Sequence, residues 1–204
     1  HYHCRGIYNL MMNSSILGYV ADLIGPNVLN IMTHLFYKRS KDKRKVSWHQ
    51  DASYWPLTPT KTITVWLALD DVSAQNGAMK FIPGSHHHGQ IPFRASDVGE
   101  HNVLNQTVSS PEDWGENAVN VELKAGQISI HSDLLLHGSE PNLSTTDRRG
   151  LTLRYMPSDV QCTDSNFGKN RRAFQCLGTN PEKHWSVVSP PVGEAIPLKL
   201  ETPL

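Results

Sequence analysis

The chain has 204 residues, enough for one domain with a real hydrophobic core. Lys plus Arg and Asp plus Glu are both 19, so the lopsided basic balance of nucleic-acid and membrane-surface binders is absent. Three scattered cysteines, Cys4, Cys162 and Cys176, exclude a disulfide framework or a zinc cluster, and a reduced, cytoplasmic setting is the default expectation. No apolar run approaches the roughly 18 residues of a membrane span. Asn-x-Ser/Thr triplets at Asn13, Asn105 and Asn142 carry no weight without a secretory signal. The chain begins in foldable sequence without Met, so an N-terminal portion is expected to precede the single domain 1–204.

Asn13-Ser14 reads as a helix start, with Ile16, Leu17, Val20, Leu23 and Ile24 on one face and Gly25-Pro26 as the stop. Short β-like runs follow at 28–37, 62–69, 78–82, 119–123, 127–131 and 150–156, separated by turn signals such as Gln75-Asn76-Gly77 and Pro83-Gly84-Ser85. Many short strands with few helices predict a mainly β fold, a barrel or jelly roll. The stretches 84–118 and 157–190 read as long loops, the second a candidate lid or tail. In the run 62–69, Ile63, Val65, Leu67 and Leu69 share one face. Thr64 and Trp66 share the other, which would line the cavity of a barrel.

The chemistry centres on His49-Gln50-Asp51. Two residues apart on an extended chain, His49 and Asp51 point to the same side and can offer an imidazole nitrogen and a carboxylate oxygen to one ion. A distant His137 would complete the two-His-one-carboxylate triad of non-haem iron oxygenases. Arg148, eleven residues later, could hold the far carboxylate of an organic acid in a two-pronged bond. A rival tripeptide, His131-Ser132-Asp133, lies six residues before His137, about 20 Å along an extended strand, too far to share an ion unless the chain folds back. His131 therefore reads as a core or cavity-edge residue, and His86-His87-His88 as a surface turn. His34 is a candidate for pointing into the cavity as a co-substrate contact. The basic run 38–45 reads as a solvated loop, with attraction of an anionic substrate as the other reading, to which Arg171-Arg172 would add.

Trp48-His49-Gln50-Asp51-Ala52, then 65–71, Asn76-Gly77-Ala78-Met79 and Ile82-Pro83-Gly84-Ser85-His86 resemble the phytanoyl-CoA dioxygenase family. So do His137-Gly138-Ser139-Glu140-Pro141-Asn142, Arg148-Arg149-Gly150 and Arg154-Tyr155. The resemblance spans about residues 13–158. It implies a cupin-like double-stranded β-helix with a few flanking helices, Fe(II), 2-oxoglutarate as co-substrate, and O2, with ascorbate helpful in vitro. It also implies His49, Asp51 and His137 as iron ligands, Arg148 with Ser139 on the distal carboxylate, and Trp66 at the co-substrate pocket. Strand alternation sets Arg149 on the opposite face from Arg148, and Arg154 reads as a supporting residue. Relatives that halogenate carry a small residue where Asp51 stands, so hydroxylation of a small-molecule substrate is expected. Gln127 stands where the family usually has an acid. A non-catalytic binding relative and a zinc hydrolase are the alternatives. Substrate identity and oligomeric state are not legible.

Overall fold

The computed structural model describes residues 1–168 and 172–194. Two helices open the chain, α1 (Arg5–Met11) and α2 (Ser14–Ile24), followed by β1 (Val28–Lys38) and β2 (Val46–His49). Next come β3 (Leu57–Thr58), β4 (Ile63–Ala68), β5 (Met79–Phe81), β6 (Arg94–Ala95), β7 (Gln106–Thr107) and β8 (Val119–Val121). The last elements are β9 (Ile128–Ser132), β10 (His137–Ser139), β11 (Arg148–Pro157), β12 (Gln161–Cys162), α3 (Ser165–Gly168) and β13 (Phe174–Leu177).

Helix α2 starts and stops where its sequence says it should. The Asn13 side chain accepts from the Ser15 and Ile16 amides, and Gly25 at φ +92° releases the chain. The strands form a five-stranded sheet ordered β13-β1-β11-β4-β9 and a four-stranded sheet ordered β2-β10-β5-β8, with every pair antiparallel. This is the expected mainly β, cupin-like jelly roll with few helices.

Alternation along the larger sheet separates core from site. Ile63, Val65 and Leu67 on β4 and Leu151, Leu153 and Tyr155 on β11 pack against Ile16, Leu17 and Val20 of α2. Their neighbours, Thr64 and Trp66 and then Arg148, Thr152 and Arg154, turn the other way and line a cavity between the sheets. Gly150 opens room there: a β-carbon at that position would sit 1.9 Å from Cζ2 of Trp66.

Two loop expectations change. The stretch 84–118 carries the β6–β7 hairpin and three 3₁₀ turns, and it buries Ile91 and Val108. Described parts of the segment 157–190 pair with and pack on the rest of the fold. Strand β12 pairs with β3, β13 adds an edge strand to β1, and Val160, Ala173 and Trp185 enter a second apolar cluster. Of its described residues only Phe167 lines the cavity. Alternating apolar residues spaced by loop-like sequence hid these elements. No helix among the described residues is long and apolar enough to cross a membrane.

Candidate metal centre and co-substrate pocket

Strand pairing assembles the triad. His49 at the end of β2 and His137 at the start of β10 are direct cross-strand partners, with ring centroids 4.1 Å apart. The strand stops at His49 and Asp51 opens a 3₁₀ turn, but Gln50 between them stays extended (φ −108°, ψ 136°), so both side chains still face one way. Gln50 turns its own amide into the body of the protein. Nε2 donates to the Gly89 and Leu134 carbonyls, and Oε1 accepts from the Ile91 amide. One ligand atom from each of His49, Asp51 and His137 lies within 4.8 Å of the others, and all three residues are buried.

Tautomer and charge are set for a cation. Nδ1 of His49 meets the Ser47 carbonyl at 2.9 Å and Nδ1 of His137 meets that of Leu135 at 2.8 Å. Each Nδ1 therefore carries the proton, leaving Nε2 with a free lone pair toward Asp51. Burial, then the nearby His137, pushes the His49 imidazole down to about 3, so it is neutral at physiological pH. Burial would raise the Asp51 carboxyl, but Arg154 and the surrounding histidines outweigh it and hold the group well below the usual carboxylate range. Two imidazole nitrogens and one carboxylate make a donor set that suits non-haem iron.

Behind the carboxylate runs a cross-strand row, Arg154 on β11, Thr64 on β4 and His131 on β9. Thr64 Oγ1 donates to Asp51 Oδ2 at 3.0 Å, so the bond of this expected co-substrate residue goes to the triad. Arg154 Nε stands 3.7 Å and His131 Nε2 4.0 Å from the same oxygen. The six-residue separation of His131 and His137 does not keep them apart. The chain turns sharply after β9, and their ring centroids lie 4.6 Å apart. The distance argument against His131 fails because it assumed one continuous strand. His131 is a buried wall residue of the cavity, and neither ring nitrogen has a hydrogen-bond partner in the protein.

The cavity has a volume of ≈ 690 Å³. At one end Arg148, 2% exposed, lies with its guanidinium 5.4 Å from the Trp66 ring centre and donates Nη2 to the Gly77 carbonyl at 2.5 Å. Its Nε is buried without a partner in the protein. Burial lowers the guanidinium to about 10, still charged at neutral pH. A buried planar cation with an unused donor fits a carboxylate, and Ser139 lines the same pocket. Arg149 is exposed and gripped by Asp70, as alternation required. His34 lines the cavity and meets Arg154 Nη1 through Nδ1 at 2.6 Å.

The basic run splits. Lys38 is buried in the pocket wall, contrary to the solvated-loop reading, whereas Arg44 pairs with Asp42 at the mouth. The signal was present: extending the first strand by one residue places Met32, His34, Phe36 and Lys38 on one face. His86, His87 and His88 are exposed. Asn142 is fully buried, its amide donating to the Lys38 and Thr146 carbonyls. Arg172 lies over the Tyr2 ring and does not line the cavity, and Arg171 lies outside the described residues.

The phytanoyl-CoA dioxygenase (PhyH) family pattern matches residues 9–150.

The chain belongs to the phytanoyl-CoA dioxygenase family.

Within it, the "Probable alpha-ketoglutarate-dependent hypophosphite dioxygenase" of Stutzerimonas stutzeri is 30% identical over 162 residues, 78% of this chain and 56% of that protein. The peroxisomal phytanoyl-CoA dioxygenase of Homo sapiens is 30% identical over 155 residues, 73% of this chain and 45% of that one. The chain thus spans about half the length of these curated relatives. Among solved structures, the apo form of the non-heme monooxygenase ThoJ superposes with a TM-score of 0.76 at 30% identity, covering 90% of this chain and 65% of that one. The epimerase SnoN from nogalamycin biosynthesis, at TM-score 0.65 and 20% identity over 90% of this chain and 69% of that one, shares the fold. Iron and 2-oxoglutarate, the cofactors expected for a phytanoyl-CoA dioxygenase relative, fit the donor set and the arginine pocket found here.

Proposed function

We propose that this protein is an Fe(II)- and 2-oxoglutarate-dependent dioxygenase that hydroxylates an unactivated C–H bond of a small organic substrate. The observation that carries the reading is the opening of one cavity onto both the buried His49–Asp51–His137 cluster and the buried Arg148, whose Nε has no partner in the protein. When bound, iron supplies oxidative decarboxylation: one atom of O2 enters succinate as CO2 leaves, and the other enters the substrate as hydroxyl.

The residues divide the work. His49, Asp51 and His137 would hold the metal on one face and leave the cavity side free for exchangeable ligands. Arg148 and Ser139 would grip the distal carboxylate, with Trp66 as the pocket wall, so that the keto-acid end is delivered toward the triad. Thr64 orients Asp51 through Oδ2. Arg154 and His34 would stand as cationic and polar groups beside the substrate space, whose apolar walls include Met32, Tyr54, Trp55, Leu104 and Phe167. Those walls exclude water around a reactive centre. A cavity of ≈ 690 Å³ suits a small-molecule substrate.

A carboxylate at position 51 favours hydroxylation over halogenation. A zinc hydrolase would have no use for the Arg148 pocket. The test is succinate release with Fe(II), ascorbate, O2 and a panel of small organic acids, acyl thioesters and amino acids. Substrate-stimulated succinate formation that disappears in His49→Ala and His137→Ala supports the reading. Undiminished succinate formation in either variant overturns it.

A further inference from the structure

On adjacent strands of the larger sheet, Lys38 of β1 and Arg148 of β11 are direct cross-strand partners. Like charges at such positions repel, and here both are buried, at 7% and 2% exposure. Both line the cavity and both converge on Gly77. Arg148 donates to its carbonyl, and a β-carbon built there would lie 3.2 Å from Lys38 Nζ. Among the described residues neither cation has a carboxylate partner. The Lys38 ammonium donates to the Ser139 carbonyl at 3.2 Å and to that of Glu140. The two acids whose charge reaches Lys38 are paired with other cations, Asp42 with Arg44 and Glu140 with Lys80. Two buried basic side chains side by side, with carbonyl but no carboxylate partners, make a pocket built for an anion.

We propose that Lys38 is the second cation of the co-substrate pocket, its ammonium and the Arg148 guanidinium together holding the distal carboxylate of 2-oxoglutarate. The proposal rests on the function proposed above. Its consequence is a proton linkage. Burial, then Arg148, pushes Lys38 down to about 7, against a weaker upward pull from Glu140 and Asp42. A carboxylate between the two cations cancels the repulsion and restores the charged form, so the co-substrate binds together with a proton wherever Lys38 was neutral.

The experiment is calorimetric titration of the Ni(II)-loaded protein with 2-oxoglutarate, nickel replacing iron to prevent turnover, in buffers of different ionisation heat. The wild type should take up about one proton per ligand at pH 8 and almost none at pH 6, with affinity falling roughly tenfold per pH unit above 7. 2-Oxobutanoate, which lacks the distal carboxylate, should bind the metal without proton uptake. Lys38→Met should remove the uptake, flatten the pH profile and weaken binding at pH 6.5 by about tenfold. Lys38→Arg should restore affinity without uptake. Wild-type binding with no proton exchange at pH 8 overturns the inference with no variant needed. Equal uptake with 2-oxobutanoate also overturns it, as does a folded Lys38→Met with wild-type linkage. Absence of any 2-oxoglutarate binding by the Ni(II)-loaded wild type is a different result, and it overturns the proposed function itself.

Discussion

Thr64 Oγ1 donates to Asp51 Oδ2 at 3.0 Å, while Asp51 Oδ1 is the oxygen that faces His49 Nε2 at 3.8 Å and His137 Nε2 at 4.0 Å. One oxygen of the carboxylate is held from behind and the other is turned toward the two imidazoles. Such an arrangement favours single-oxygen ligation and keeps neighbouring coordination positions available.

Thr64→Val keeps the volume and removes the donor. Metal affinity should fall about 10- to 100-fold, the usual loss on removing a partner that orients a ligand, with the fold retained. Competitive titration with a chelator reads the affinity, and an unchanged value would show that Arg154 alone orients the carboxylate.

Gly150→Ala should damage the co-substrate pocket specifically. Its β-carbon would lie 1.9 Å from the Trp66 indole, so the ring must leave the wall that it forms beside Arg148. Overpacking of this kind costs about 1–3 kcal/mol. The expected result is a lowered melting temperature and a 2-oxoglutarate affinity reduced about tenfold or more. Wild-type affinity in a folded variant would remove Trp66 from the pocket.

Arg148→Lys keeps the charge and loses the fork. An ammonium has neither the planar pair of donors nor the same reach to the Gly77 carbonyl. Affinity for 2-oxoglutarate should drop about 10- to 100-fold, corresponding to roughly 1.4–2.7 kcal/mol, while metal affinity stays at its wild-type value. A matched loss of both would point to collapse of the site instead.

Asp133 sets a pH dependence of stability. Burial lifts its carboxyl to about 6, although the Thr62 amide donates to Oδ2 at 3.1 Å. The folded state therefore binds the proton more tightly than the unfolded chain, whose carboxyl titrates near ~3.9. Its contribution is full below that value and is lost as pH rises toward 6. Asp133→Asn should remove this loss. The variant should gain on the order of 1–3 kcal/mol over wild type at pH 7.5 and little at pH 4. Denaturant unfolding at both values reads the difference, and a pH-independent difference between the two proteins would exclude the mechanism.

Much of the site was legible from local order. The two-residue step from His49 to Asp51, the alternation that turned Thr64 and Trp66 inward, and the opposite facing of Arg148 and Arg149 all follow from the period of two of extended chain. The helix at Ser14–Ile24 was legible for a similar reason, since Asn13 and Gly25 mark its ends chemically. Other features were hidden. Residues 157–190 read as a lid because β13 and Trp185 acquire meaning only when β1 and Leu57 are there to meet them. His131 was set aside on a linear distance that a turn abolishes.

The sequence by itself determined which residues have the chemistry and which side of its strand each one faces, because both are properties of a few neighbouring residues. Only the tertiary structure decided which faces meet. The pairing of His137 with His49, the row of Arg154, Thr64 and His131 behind Asp51, and the placing of Lys38 opposite Arg148 are register choices between strands distant in the chain. Register is settled by burying one face of each strand against the rest of the fold. That long-range choice made one cavity out of scattered histidines, and it moved Lys38 from an apparent surface loop into the pocket wall.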